Sequence, residues 1–274
     1  MPKFPIDGSD RKPVGRSGEA ISAIGLGSWA IRDYRRAFEA YTLALSLGID
    51  NIDTAEMYDN GNAERFIGEV LRAVGRDKVF ITTKLLPNKF RSRDSAIKAA
   101  RLSLERLNVK YVDLILIHWP DNQTPIEEQA RNLEAIAIEG LTRYIGVSNF
   151  TVEEFKRAQE ALSRYELVVN QVKYSLLDKS IEDDMLPYAI NNNILIQAYT
   201  PLERGEVLKD KLVREIADKY NKTPAQIALN FIISRPRVIA IPKAEKIEHI
   251  RELAGTMGWR LKSEDIELLE KLTK

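Results

Sequence analysis

The chain has 274 residues, 44% hydrophobic and 30% charged, enough to bury a sizeable core and unlike disordered, collagenous or disulfide-scaffold chains. Its 41 Lys plus Arg stand against 40 Asp plus Glu, so a net charge of +1 provides no global field for nucleic acid or an anionic membrane, and a small-molecule partner is expected. With no cysteine and only His118 and His249 as imidazoles, a thiolate nucleophile, a cysteine zinc site and a multi-histidine metal site are excluded.

The opening MPKFPIDGSDRKPVG is polar and carries Pro2, Pro5 and Pro13, so it lacks the apolar stretch of a signal peptide. No apolar run reaches the ~18 residues of a membrane span. A soluble cytoplasmic protein, monomeric or weakly oligomeric, is expected. From residue 23 onward, short runs rich in Ile and Val alternate with longer amphipathic segments, the pattern of βα units around a parallel sheet. Strands are predicted at AIGLGSW (23–29), GIDNID (48–53), VFITTK (79–84), VDLILIH (112–118), YIGVSN (144–149), LVVNQ (167–171), ILIQAY (194–199) and VIAIPK (238–243). Helical patterns between them include NAERFIGEVLRAV, SRDSAIKAARLSLERL, TVEEFKRAQEAL and TPAQIALNFIIS, several opening on a Ser, Thr or Asn suited to an N-cap. Thr223 followed by Pro224 is a helix start. The final SEDIELLEKLTK, with Ser263 as cap and Leu268, Leu269 and Leu272 on one face, reads as an appended C-terminal helix. Eight strand–helix repeats without a Gly/Ser-rich or Pro-rich linker predict an α/β chain folded as a (β/α)₈ TIM barrel, with residues 1–274 forming a single domain.

The working face of such a barrel is the C-terminal end of its strands, and nearly every predicted strand ends in a polar residue. Asp53, Lys84, His118, Ser148 with Asn149, Gln171, Tyr199 and Lys243 close the second to eighth runs in turn. One such residue is an ordinary transition from strand to loop. An acid, a lysine and a histidine on consecutive strands of a closed barrel converge on its axis and read as a site.

These residues sit in segments that resemble the aldo-keto reductase family in family order along essentially the whole chain. The segments are NIDTAEMYDN with AERFIGEVL, ITTKL, DLILIHWP, IGVSNF, VVNQVKYS, QAYTPL and IPKA. The resemblance implies a nicotinamide-dependent carbonyl reductase acting on aldehydes, ketones or aldoses, with Asp53, Tyr58, Lys84 and His118 as its catalytic group. It also implies an NADPH site, NADH being a possible substitute, formed by Asp53, Ser148, Asn149, Gln171, Tyr199, Pro201, Leu202, Lys243 and His249. Ser28 and Trp29 would edge the nicotinamide ribose, and Trp29, Tyr58, His118 and Trp119 would meet the substrate.

The residues themselves carry a compatible chemistry. Hydride delivery to a carbonyl builds negative charge on oxygen, which needs a proton or positioned donors. Tyr58, five residues past Asp53, can hang over the mouth, and the Lys84 ammonium is expected to lower its pKa from ~10. Asp53 would pair with Lys84, and His118 would act as a neutral donor. Tyr199 offers a flat ring for stacking, while Lys243 lies where barrels often bind phosphate.

Other readings weigh less. GLGSWA (25–30), followed by Asp50, fits a Rossmann fingerprint formally, but Trp29 crowds the turn that would have to approach a pyrophosphate. No G-x-x-x-x-G-K-[ST] occurs. A Schiff-base lyase using Lys84 would need a neutral amine, which Asp53 opposes. A redox-sensing regulatory subunit with slow turnover, a role some members of the resembled family play, is the non-catalytic alternative. Two departures from the family pattern bear on specificity. The chain stops at Lys274 without a long C-terminal loop, from which an open pocket is expected. Ala244 and His249 stand where many members have a hydroxyl residue and an arginine beyond the lysine, so NADPH is expected to be preferred over NADH by a reduced margin.

Overall fold

In the computed structural model, which describes residues 1–272, the eight apolar runs each supply one strand of a parallel sheet. A short antiparallel hairpin, β1 (Arg11–Pro13) and β2 (Ala20–Ser22), comes first. The sheet strands follow as β3 (Leu26–Gly27), β4 (Asn51–Asp53), β5 (Phe80–Leu85), β6 (Val112–Ile117), β7 (Thr142–Ser148), β8 (Leu167–Lys173), β9 (Leu195–Tyr199) and β10 (Val238–Ala240), paired in chain order. Ile24, just before β3, bridges Ala240 of β10 in parallel register and closes the barrel. At that seam Gly25 N donates to Ala240 O (2.8 Å), Ala240 N to Ala23 O (2.9 Å) and Gly27 N to Pro242 O (3.0 Å). A Cβ on Gly27 would lie 2.8 Å from the Ile241 carbonyl oxygen, so the backbones approach too closely for a side chain there.

The period of two along a strand divides each run between two cores. Outward residues such as Ile81, Ile115, Ile117, Ile145, Val147, Ile196 and Val238 pack against the helices. These are α1 (Tyr34–Ser46), α2 (Asn62–Val74), α3 (Arg93–Leu107), α4 (Ile126–Ile138), α5 (Val152–Glu160), α6 (Met185–Asn192), α7 (Lys211–Tyr220), α8 (Pro224–Ile233), α9 (Ile247–Ala254) and α10 (Ser263–Glu270). Inward residues Phe80, Leu114, Leu116, Val169, Leu195, Ile239 and Ile241 form a separate apolar cluster inside the barrel, which Val14 and Ile21 of the hairpin region join. The hairpin therefore seals the end opposite the strand C-termini. It precedes every predicted strand, and its three-residue strands, interrupted by Lys12 and Pro13, are too short to show an alternation.

Helix starts test the capping expectations. Ser92 accepts from Ser95 N, and Thr151 with Glu154 and Thr223 with Gln226 both form complete capping boxes. Two caps fall elsewhere than expected. Gly61, in the left-handed region at φ 85°, caps α2, and Asn62 is already helical. Lys262 precedes α10 with no side-chain cap, so Ser263 is its first helical residue. The last two residues of the predicted C-terminal segment, Thr273 and Lys274, lie outside the described residues. No helix among the described residues is long and apolar enough to cross a membrane.

Candidate active site

Continuing the inward register past the apolar cluster gives the site. Phe80, Thr82 and Lys84 alternate along β5, Leu114, Leu116 and His118 along and just past β6, and Leu195, Gln197 and Tyr199 along β9. On β4 and β8 the corresponding inward positions are Asp53 and Gln171, and Ser148 pairs with Gln171 in register. The polar strand ends are thus the uppermost inward positions, which is why they converge.

Asp53 and Lys84 form the floor. Lys84 Nζ donates to Asp53 Oδ1 (2.6 Å), Asp53 Oδ2 (2.7 Å) and the Thr54 carbonyl (2.8 Å), with both side chains buried. Burial raises the Asp53 pKa and lowers that of Lys84, and their direct contact opposes both shifts. With its three hydrogens so directed, Lys84 is poorly disposed to attack a carbonyl, which counts against the lyase reading. Gln171 Nε2 donates to Asp53 Oδ1 (2.7 Å) and to Gln197 Oε1 (2.8 Å), and Gln197 Nε2 reaches Thr82 Oγ1 (3.3 Å). Gln171 is therefore a strut inside the barrel. Gln197 was not among the sequence candidates, although its place two residues before Tyr199 marks it as inward.

Tyr58 opens a tight turn, Tyr58–Gly61, in which Asp59 and Asn60 adopt left-handed conformations at φ 47° and 52°. Tyr34 Oη donates to Asp59 Oδ2 (2.8 Å), tying this turn to the start of α1. The Tyr58 ring lies edge-on to Trp29 (centroids 5.0 Å apart, 64°) and to His118 (5.7 Å, 72°), and His118 is tilted against Trp119 (4.8 Å, 51°). Trp29 and Trp119 are 54% and 38% exposed, so this aromatic wall opens to solvent at its rim.

One electrostatic expectation is reversed. Burial first, then the charge of Asp53 and the neighbouring Tyr199, push the Tyr58 hydroxyl far above its ordinary value rather than below it. Lys84 Nζ stands 4.8 Å from the centre of the Tyr58 ring, while its N–H groups point to Asp53 and Thr54, so its charge meets the ring and desolvation dominates. His118 follows the expectation of a neutral imidazole: burial and the Lys84 charge lower its pKa to about 3.

Around the rim, Tyr199 Oη donates to Asn149 Oδ1 (2.8 Å), and Asn149 Nδ2 donates to His118 O (3.1 Å) and Ser148 Oγ (3.0 Å). Asn149 holds a left-handed conformation at φ 61°. Ser148 Oγ donates to the Gln171 carbonyl (2.8 Å). Buried Pro201 and half-buried Leu202 follow β9. Across the seam, Lys243 Nζ contacts the Ala30 carbonyl (3.4 Å) and the Glu245 carboxylate. Ala244 is buried, and His249 is exposed in the first turn of α9. Among the described residues, Ser28 Oγ, Thr54 Oγ1 and His118 Nδ1 are buried polar atoms without a hydrogen-bond partner. Such orphaned groups near the mouth suit a polar ligand. The Rossmann alternative finds no support here, because Leu26–Gly27 is a barrel strand and Asp50 pairs with Arg11 (2.6 Å) beside the hairpin.

A family model described as "Aldo/keto reductase family" matches residues 23–274. The chain is 35% identical over 271 residues to Methylglyoxal reductase YeaE of Escherichia coli (strain K12), covering 95% of this chain and 94% of that protein. It is 33% identical over 262 residues to Glyoxal reductase of Bacillus subtilis (strain 168), covering 94% and 91%. Among solved structures, a thermostable aldo-keto reductase, Tm1743, crystallised with epalrestat, matches with TM-score 0.89 and 37% identity over 95% of this chain and 98% of that one. An aldo/keto reductase from Klebsiella pneumoniae in complex with NADP and acetate matches with TM-score 0.87 and 32% identity, covering 96% and 95%.

Proposed function

Since the chain belongs to the aldo/keto reductase family, we propose that it reduces small aldehydes, 2-oxoaldehydes among them, with Tyr58 as the proton donor. The observation that carries the assignment is the buried Asp53–Lys84 pair lying beneath the Tyr58 ring, with a neutral His118 alongside. The similarity to methylglyoxal and glyoxal reductases supports the substrate class, and the half-exposed Trp29 and Trp119 suit a compact, partly apolar substrate.

The orphaned Ser28 hydroxyl, the Ser148–Asn149–Tyr199 rim and Lys243 fit a nicotinamide dinucleotide. Ser28, Trp29, Ser148, Asn149, Gln171 and Tyr199 would hold its nicotinamide end, Pro201 and Leu202 would border it, and Lys243 with His249 would face the ribose 2′-phosphate of NADPH. When bound, the cofactor supplies a hydride to the carbonyl carbon. His118, neutral at working pH, donates a hydrogen bond that orients the carbonyl oxygen. Tyr58 stays protonated until that oxygen gains negative charge, and an alkoxide is basic enough to take a proton even from a phenol of raised pKa. The Lys84 charge then stabilises the phenolate, while Asp53 fixes the lysine.

Tyr58→Phe keeps the ring and its contacts with Trp29 and His118 but removes the donor. Turnover of methylglyoxal should fall at least ~100-fold, with NADPH affinity unchanged by fluorescence titration. Turnover at the wild-type rate would reject Tyr58 as the acid.

A further inference from the structure

Glu245 was not a sequence candidate, yet it binds the lysine read here as facing phosphate. Its Oε1 accepts from Lys243 Nζ, and its Oε2 accepts from the backbone N–H of Asp33 (3.2 Å), the N-cap residue of α1. Only 15% of its side chain is exposed. Lys243 also reaches the carbonyl of Ala30, which is held in the left-handed region at φ 55°. One carboxylate thus ties the loop after β10 to the loop after β3, across the barrel seam and beside Ser28 and Trp29. Burial would raise the Glu245 pKa, but Lys243 and the amides of Arg32 and Asp33 outweigh it, and the group remains an anion.

An anion in that place has a consequence for cofactor choice. A ribose 2′-phosphate drawn to Lys243 must compete with a carboxylate already in contact with the ammonium, and it brings a second negative group beside the first. A free ribose 2′-hydroxyl meets the opposite situation, because a carboxylate can accept its hydrogen bond. We propose that Glu245 is a specificity-determining residue that narrows the preference for cofactors bearing a 2′-phosphate and admits those with a free 2′-hydroxyl. This rests on the reading of Lys243 as the phosphate-facing residue.

Dissociation constants for NADP⁺ and NAD⁺, measured by tryptophan fluorescence in wild type, Glu245→Gln and Lys243→Met, separate the two ideas. Glu245→Gln retains an acceptor for the Asp33 amide and removes the charge, so the NADP⁺-over-NAD⁺ ratio should rise about tenfold, the scale of one charge-assisted contact. Lys243→Met should lower the same ratio. A ratio unmoved by Glu245→Gln but lowered by Lys243→Met overturns the role of Glu245 and leaves the lysine reading standing. Equal weakening of both cofactors by Glu245→Gln makes the residue a loop tether only and also overturns the proposal. A ratio unmoved by Lys243→Met removes the phosphate from this corner of the barrel, and both ideas with it. Thermal melts of each variant verify folding, and Glu245→Ala repeats the charge removal should the glutamine variant fold poorly.

Discussion

His118 shows how far burial can displace a single group. Its folded pKa of about 3 lies below the ~6.5 of a free imidazole, so between those values the unfolded chain binds a proton that the folded one refuses. Stability should therefore fall as pH drops through that window, by about 1.4 kcal/mol per unit at most, and His118→Gln should flatten the slope in urea titrations at pH 7, 5.5 and 4. The same depression predicts that kcat/KM for an uncharged aldehyde has no limb near pH 6.5 from this residue. Lys84 and Asp53 pose the complementary problem of two buried charges that support each other. Lys84→Met strands the Asp53 carboxylate and should cost about 3–5 kcal/mol of stability. Adding Asp53→Leu should restore much of that loss in thermal melts without restoring turnover, which distinguishes a functional pair from a structural one. If the double variant were active, the pair would not belong to the mechanism. The raised Tyr58 pKa was not legible from residue types. It depends on where the Lys84 hydrogens point and how much water the aromatic wall excludes, and both are properties of three-dimensional packing.

At the scale of elements, the same short runs encode both barrel layers. β5 reads FITTKL, in which Ile81 faces the helices and Phe80, Thr82 and Lys84 face inward. The strand ends were legible as a site because polar residues close the apolar runs, and this alternation is the reason they converge, since a residue two positions beyond an inward apolar one must also point inward. Where no alternation exists, legibility stops. The hairpin strands are three residues each, and the caps of α2 and α10 depend on backbone geometry at Gly61 and Lys262 rather than on a side chain that signals it. Gln197 was readable by the same periodicity, whereas Glu245 lies in a charged loop whose partner across the seam is more than 200 residues away in sequence. That seam is also where the smallest change should matter most. Gly27→Ala places a Cβ 2.8 Å from the Ile241 carbonyl, a backbone atom that cannot rotate away. We expect a loss of about 1–3 kcal/mol in urea unfolding, together with weaker cofactor binding through displaced Ser28. A variant of wild-type stability would show that the seam yields more readily than its contacts suggest.

For the molecule as a whole, the residues proposed for the site are distributed around the full circuit of strands, from Ser28 after β3 to Lys243 after β10. No subset of consecutive units contains them, and the first and last strands meet only through the brief seam around Ile24 and Ala240. A dinucleotide reaching from the Asn149–Tyr199 rim to Lys243 and Ser28 would therefore bind the closed barrel and have little affinity for any opened form. Linkage then requires that it stabilise the entire fold, by about 2.7 kcal/mol when its free concentration is 100 times Kd. For a chain of this size that corresponds to a rise in Tm of roughly 5 °C. Scanning fluorimetry should show this rise with NADP⁺ in wild type and a smaller one in Lys243→Met at the same concentration, because the contact to the 2′-phosphate is lost. NAD⁺ should raise the Tm of both proteins alike, since it carries no 2′-phosphate for the lysine to hold. Equal losses for NADP⁺ and NAD⁺ in the variant would instead mean that Lys243 supports the seam itself, and the coupling between cofactor and barrel closure would have to run through other residues.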